Sequence, residues 1–173
     1  TVSDGELSAE QAITVNVNNL NDNAPVFTSP SSFSANENQT SIDIVTASDA
    51  DDSPLSFSVS GSELLITDSG VLSFTSAPDY ESKSSYTATI TVSDGVATAS
   101  QNITVSVNNL NDNPPVFTSS ASFNAAENQT TIGTVTATDA DGNTISFSVS
   151  GSELSLSSSG QLAFKATPDY ETK

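Results

Sequence analysis

Asn109-Leu110-Asn111-Asp112-Asn113-Pro114-Pro115-Val116-Phe117 decides how this chain is read. It occurs earlier as Asn19-Leu20-Asn21-Asp22-Asn23-Ala24-Pro25-Val26-Phe27, at an offset of 112 − 22 = 90 residues. A polar run crowded with oxygens runs into proline and then an apolar pair. Proline fixes φ and favours extended backbone before it. The stretch therefore reads as a stiff connector that closes one unit and opens the next.

Laid over itself at that offset, the sequence needs no gap. Phe33 falls on Phe123, Glu37 on Glu127, Asp49 on Asp139, and Pro78-Asp79-Tyr80-Glu81 on Pro168-Asp169-Tyr170-Glu171. The expected organisation is the end of one repeat (1–23), a complete repeat (24–113) and an incomplete one (114–173) that lacks its last strands. Two full periods would be 180 residues, and 180 − 173 = 7, so the chain reads as a window on a longer array.

Within residues 24–113 every periodic segment alternates as a strand does. Phe33 marks a first segment and Ile42 to Ala47 a second. Leu55, Phe57 and Val59 form a third, Leu64 to Ile66 a fourth, and Leu72 and Phe74 a fifth. Tyr86, Ala88, Ile90 and Val92 form a sixth, and Ile103, Val105 and Val107 a seventh. Ser and Thr fill the outward positions. Asp68-Ser69-Gly70 and Asp94-Gly95 supply turns. Seven short strands in a 90-residue period imply an all-β, immunoglobulin-like sandwich with Greek-key connections, repeated in tandem; a small barrel is the alternative.

Composition narrows the chemistry. Cysteine, histidine, methionine and tryptophan are absent, so no disulfide, thiolate or imidazole is on hand. The net charge is −18, with Lys83, Lys165 and Lys173 the sole cations. Such a surface repels nucleic acid and anionic membranes. No apolar run is long enough to span a bilayer.

The acids recur in fixed places at strand ends and loops: Glu37, the pair Asp49 and Asp51, the pair Asp79 and Glu81, Asp112 in the connector, and Asp94 in a turn. Carboxylates with Asn and backbone oxygens, and no nitrogen or sulfur donors, suit a hard cation. Calcium fits better than magnesium, because it accepts more oxygens in irregular geometry.

Glu-Asn, Asp-Ala-Asp, Asp-Tyr-Glu and Asn-Leu-Asn-Asp-Asn-Pro-Pro-Val-Phe, in this order and spacing, resemble the extracellular cadherin repeat over the whole chain. The resemblance implies cadherin-type seven-stranded sandwiches with calcium ions at each junction. It assigns to the second junction Glu37, Asp79, Glu81, the carbonyls of Leu110 and Asn113, the side chains of Asn111 and Asp112, and Asp139, Asp141 and the Asn143 region. To the first it assigns Asn21, Asp22, Asp49, Asp51 and Asp94. The sequence departs from the family at Asn19 and Asn109, where the family usually has Asp, and at Ser53, where the third repeat has Asn143. The second junction is expected to be the better occupied.

Charge supplies a mechanism. Glu37, Asp79, Glu81, Asp112, Asp139 and Asp141 carry six negative charges, which three divalent ions would neutralise. Without ions, neighbouring like charges repel by roughly 1–4 kcal/mol per pair. A connector so loaded should flex when empty and lock when filled. Extracellular modules bind calcium at roughly 0.1–1 mM.

The function expected is a calcium-rigidified extracellular stalk, adhesin or fibre segment, on a cell surface or secreted, of bacterial or marine character. The alternative is an adhesion module whose sandwich binds carbohydrate or a partner repeat. Phe57, Phe74 and Tyr86 lie on apolar stripes, which favours core over sugar stacking. Enzymatic use of paired carboxylates, as in glycosidases, is not expected, because the acids gather at a connector. Without tryptophan, the strand exchange of vertebrate adhesion cadherins cannot occur in this segment. The expected partners are calcium and neighbouring repeats of the array. Head-to-tail self-association is a further expectation, the leading strand of one chain completing the third repeat of the next. Asn38, Asn102 and Asn128 each open a glycosylation acceptor triplet.

Overall fold

A computed structural model describes residues 1–172. The strands in chain order are β1 (Val2–Ser3), β2 (Ser8–Ala9), β3 (Val26–Phe27), β4 (Ser32–Asn36), β5 (Ser41–Ile44), β6 (Ala47–Ser48), β7 (Ser56–Val59), β8 (Leu64–Ile66), β9 (Val71–Phe74), β10 (Ser85–Ser93), β11 (Thr98–Asn108), β12 (Val116–Phe117), β13 (Thr131–Thr134), β14 (Ala137–Thr138), β15 (Leu154–Leu156) and β16 (Gln161–Phe164). A 3-10 turn at Tyr170–Thr172 is the one helical element among the described residues. The fold is all-β.

The chain divides into two compact units. The first comprises Thr1–Phe33, Ser41–Thr75 and Thr87–Val105; the second comprises Ser34–Thr40, Ser76–Tyr86 and Ser106–Lys173. The repeat carrying β3 to β11 therefore contributes to both.

Most of the first unit is a four-stranded sheet of order β4-β11-β10-β7, a three-stranded sheet β5-β9-β8 and the pair β3-β6. Alternation explains the core. Phe33, Leu64, Leu72, Phe74, Ile90, Val92, Ile103 and Val105 each face inward from an alternating strand, and Leu72, Ile90, Val92 and Val105 are almost wholly buried. The Phe27 and Phe57 rings lie 6.5 Å apart. The four-stranded sheet turns hydroxyls outward, where Thr91 and Ser100 bond at 2.9 Å and Thr89 donates to Asn102 Oδ1 at 2.8 Å.

The expected second strand, Ile42 to Ala47, is two. β5 pairs with β9, while β6 pairs with β3. The break falls at buried Val45, whose N–H donates to Gly70 O at 2.8 Å. Gly70 has φ +86°, and a Cβ there would overlap the Val45 carbonyl oxygen. Only glycine fits this close backbone approach.

In the second unit, β13-β16-β15 and β12-β14 repeat the patterns of β5-β9-β8 and β3-β6. Residues 122–126 and 146–149, the counterparts of β4 and β7, are not strands, and neither are residues 10–18, whose counterparts lie in β11. A strand needs a hydrogen-bonded neighbour, and these segments lack one among the described residues. Ile13, Val15 and Val17 are accordingly 81%, 80% and 92% exposed, whereas Ile103, Val105 and Val107 are 3%, 0% and 4% exposed.

Candidate metal centres

Each unit holds one group of the sequence-predicted acids. In the second unit the organising side chain is Glu37, which follows β4 and is 2% exposed. Its Oε1 accepts from Leu110 N–H at 2.7 Å and its Oε2 from Tyr80 N–H at 2.8 Å. Two backbone donors thus fix a buried carboxylate, the condition for burying such a charge at all. The flanking backbone is held too, since Glu37 N–H donates to Asn108 O and Asn38 N–H to Pro78 O.

Around this anchor, carboxylate oxygens of Glu37, Asp79 and Glu81 lie within 4.8 Å of one another, as do those of Glu81, Asp112 and Asp141. Glu81 belongs to both sets. Asn113 ties the second set together: its side-chain amide donates to Asp112 Oδ1 at 2.8 Å, Asp141 Oδ1 at 2.9 Å and Glu81 Oε2 at 3.2 Å. Asp141 Oδ2 also accepts from the backbone of Asp112 and Asn113. Asn38, with φ +63°, donates its amide to Asp112.

The electrostatics follow these contacts. The Asn113 amide, then the backbone N–H groups of Asn113 and Asp112, hold Asp141 below the ordinary Asp range. The Ser82 hydroxyl, donating at 2.6 Å, does the same for Asp79. Glu81 moves the other way. Loss of solvation raises it, and the neighbouring Glu37 and Asp141 charges and Asp79 add to the rise. Glu81 therefore resists ionising where Asp79 and Asp141 do not.

Asp139 and Asn143 stand beside this group. Asn143 N–H donates to Asp139 Oδ1 at 3.0 Å, and no three-acid set among the described residues includes Asp139. Asn111 is exposed. Leu110 enters through its N–H; Asn113 enters through its side-chain amide and its N–H.

In the first unit Asn21, Asp22, Asp49, Asp51 and Asp94 form no three-acid set among the described residues; hydrogen bonds link them instead, the Asn21 amide donating to Asp94 O at 3.4 Å. Asp51 Oδ2 accepts from Asn23 N–H at 2.8 Å and Asp22 N–H at 3.0 Å, and the Asn23 amide donates to both acids. The Asn23 contacts, backbone first, hold Asp51 below its ordinary value. Asp49 Oδ1 accepts from Asp51 N–H at 2.9 Å and Ser53 N–H at 3.4 Å. Ser53 thus repeats, through its backbone, what Asn143 does beside Asp139.

Asp94 is 7% exposed. Its Oδ1 accepts from Val96 N–H at 2.7 Å and Ala97 N–H at 2.6 Å, closing the turn between β10 and β11. Its Oδ2 is buried and accepts no hydrogen bond. Asn21 Oδ1 and Asp49 Oδ2 are buried and unpartnered in the same way. Unpaired buried oxygens are costly and rare. All three belong to residues the sequence placed at one site, and all are hard acceptors. The donor set fits calcium: oxygen only, several carboxylates, irregular arrangement.

The sequence reading passed over a third acid set, Glu127, Asp169 and Glu171, whose oxygens also lie within 4.8 Å of one another. The offset of 90 maps it onto Glu37, Asp79 and Glu81, so the signal was present. It also passed over the Asn23, Asn38 and Asn113 amides.

A sequence family described as Bacterial Ig domain matches residues 21–106. A 50-residue stretch, 29% of the chain, is 46% identical to the Fat-like cadherin-related tumor suppressor homolog of Drosophila melanogaster, of whose length it spans 1%. Among solved structures, human Protocadherin-24 EC1-2 shares 23% identity with a TM-score of 0.73, over 89% of this chain and 82% of that one. Mouse Cadherin-23 EC22-24 shares 25% identity with a TM-score of 0.73, over 88% of this chain and 57% of that one. In fold, the chain is similar to the extracellular cadherin repeats of these solved structures. Among the described residues no helix is long and apolar enough to cross a membrane.

Proposed function

We propose that this chain is a calcium-rigidified segment of an extracellular stalk, adhesin or fibre made of tandem cadherin-like repeats. The observation that carries the reading is the set of buried, unpartnered oxygens on Asn21, Asp49 and Asp94. Nothing in the protein pairs them, and a hard cation would.

Calcium, when bound, would supply positive charge and ligand-accepting capacity at two groups. Asn21, Asp22, Asp49, Asp51 and Asp94 would hold it in the first unit. Glu37, Asp79, Glu81, Asp112 and Asp141 would hold it in the second, with Leu110, Asn111, Asn113, Asp139 and Asn143 adjoining. The chain's own residues prepare both places. Asn23 and Asn113 clamp the connector's Asp onto the Asp49–Asp51 and Asp139–Asp141 loops, and Glu37 pins the connector's backbone at Leu110. Neutralising the acids then removes the repulsion that would loosen the connector.

The role is mechanical and not enzymatic. The acids serve a connector, and buried or half-buried aromatics such as Phe74 and Phe57 belong to the core. Neighbouring repeats of the same array are the natural partners. Head-to-tail self-association belongs to the same reading, favoured by the exposure of Ile13, Val15 and Val17.

Small-angle scattering with calcium and with a chelator tests the proposal, paired with calorimetric titration of calcium. The expected result is saturable binding and a longer, stiffer particle with calcium. Binding without change of dimension would remove the strut; absence of binding would remove the site.

A further inference from the structure

The sequences of residues 24–83 and 114–173 align without a gap, yet an Ile, Leu or Val is exchanged for a polar residue at only three places. Ile44 stands against Thr134, Leu65 against Ser155, and Val71 against Gln161. All three fall on one sheet, β5-β9-β8. Ile44 pairs directly with Val71, and Leu65 pairs with Ser73, two residues along β9. Period-two alternation puts Ile44, Leu65 and Val71 on one face. They are 55%, 53% and 43% exposed, while Leu64, Leu72 and Phe74 on the opposite face form the core.

The fold does not require these side chains. In β13-β16-β15 the same register closes with Thr134 opposite Gln161 and Ser155 opposite Ala163, and a bulge occupies the same place. There the Gln161 amide donates to Thr134 Oγ1 at 3.0 Å. One repeat thus presents an aliphatic cluster where its near-copy presents a hydrogen-bonded polar one. Single exposed aliphatics are ordinary; a contiguous cluster marks an interaction surface.

The edge of the cluster differs as well. Asp68, exposed in the turn between β8 and β9, replaces Ser158, and Asp43, exposed and paired with Leu72 on the same sheet, replaces Gly133. Charge selects the occupant. A second copy seated on this sheet would bring Asp43 and Asp68 against their own counterparts, like charge against like. We propose that the outward face of β5-β9-β8 is a docking surface for a protein segment presenting an apolar cluster edged by lysine or arginine. This is independent of the cation sites.

The test compares a synthetic peptide alternating Leu and Lys with one alternating Ser and Lys, equal in length and charge. Each is titrated into the whole chain in excess calcium at physiological ionic strength, followed by fluorescence anisotropy. The Leu/Lys peptide should bind about tenfold tighter. The I44T/L65S/V71Q variant, which carries the third repeat's residues and keeps the net charge, should lose that margin without changing the calcium-dependent melting temperature. D43G/D68S should weaken both peptides. Equal binding of the two peptides, or an intact margin in the triple variant, overturns the proposal. Dimerisation in sedimentation that the triple variant abolishes also overturns it, by identifying a second copy as the occupant.

Discussion

Replacing Asp94 by Asn separates the two jobs its carboxylate does, and they respond with opposite signs. Oδ1 closes a turn by accepting from Val96 and Ala97, and an asparagine oxygen can keep both bonds. Oδ2 is buried and unpartnered. Without calcium, an unpaired buried charge costs more than an unpaired neutral amide, the difference being about 1–3 kcal/mol at most, so D94N should leave the chelated protein equally stable or raise it within that range. With calcium the sign reverses. Calcium at about 100 times its dissociation constant stabilises by about 2.7 kcal/mol. Losing a charged ligand should cost at least the roughly tenfold in affinity that outer-shell partners cost. The calcium-linked stabilisation then falls to about 1.4 kcal/mol at the same concentration.

Thermal unfolding followed by circular dichroism, in chelator and in calcium, measures both. The expected pattern is a melting temperature unchanged or up in chelator, and a calcium-induced rise reduced by about half. D94A is the control. It loses both turn bonds and should be less stable in either condition by about 1–2 kcal/mol. If D94N lowers stability equally with and without calcium, Asp94 is only a turn residue. If D94N keeps the full calcium response, the unpartnered oxygen has nothing to do with the cation, and the reasoning fails.

In chelator, E81Q should be more stable than the parent at neutral pH. The folded protein raises Glu81 above its ordinary value, so the favourable protonated form is lost as pH rises through that raised value. The advantage should shrink on acidification and vanish below the ordinary Glu range, while the lowered Asp51, Asp79 and Asp141 contribute stability that disappears at lower pH still; chelated melts across pH read both windows. G70A should destabilise the chain by more than about 2 kcal/mol in urea unfolding, because a positive φ and an occupied Cβ position act together. L72A, at a residue with no exposed surface, should cost about 2–5 kcal/mol in the same assay. Sedimentation should show the chain associating with concentration, and V15K, at a residue 80% exposed, should abolish it; monomers throughout would remove the head-to-tail expectation.

What the sequence conveyed, and what it withheld, divides along the range of the interactions. Turn chemistry is local, so Asp94-Gly95 and Asp68-Ser69-Gly70 were legible, with φ +91° at Gly95 and +86° at Gly70. The acids were legible because the 90-residue offset repeats them in register, and the structure gathers Glu37, Asp79 and Glu81 and joins Glu81 to Asp112 and Asp141. Strand pairing is not local. Ile13-Thr14-Val15 and Ile103-Thr104-Val105 are the same three residues, yet only the second lies in a strand. No reading of periodicity could separate them, since both alternate perfectly and only the presence of a neighbour differs. The amides of Asn23 and Asn113 escaped for a related reason. An asparagine beside acids reads as one more oxygen donor, whereas here each turns its nitrogen to the carboxylates and its carbonyl away from the count. That inversion matters for affinity: an amide that clamps two carboxylates holds ligands in place before any cation arrives, so less ordering remains to be done on binding. By this argument Asn113→Asp, which adds a charge, should bind calcium more weakly than the parent at equal ionic strength, because the clamp is lost and a seventh repelling carboxylate takes its place beside the six acids Glu37, Asp79, Glu81, Asp112, Asp139 and Asp141. Calorimetry on N113D that shows tighter binding would mean that charge count, and not pre-arrangement by the amide, governs this site.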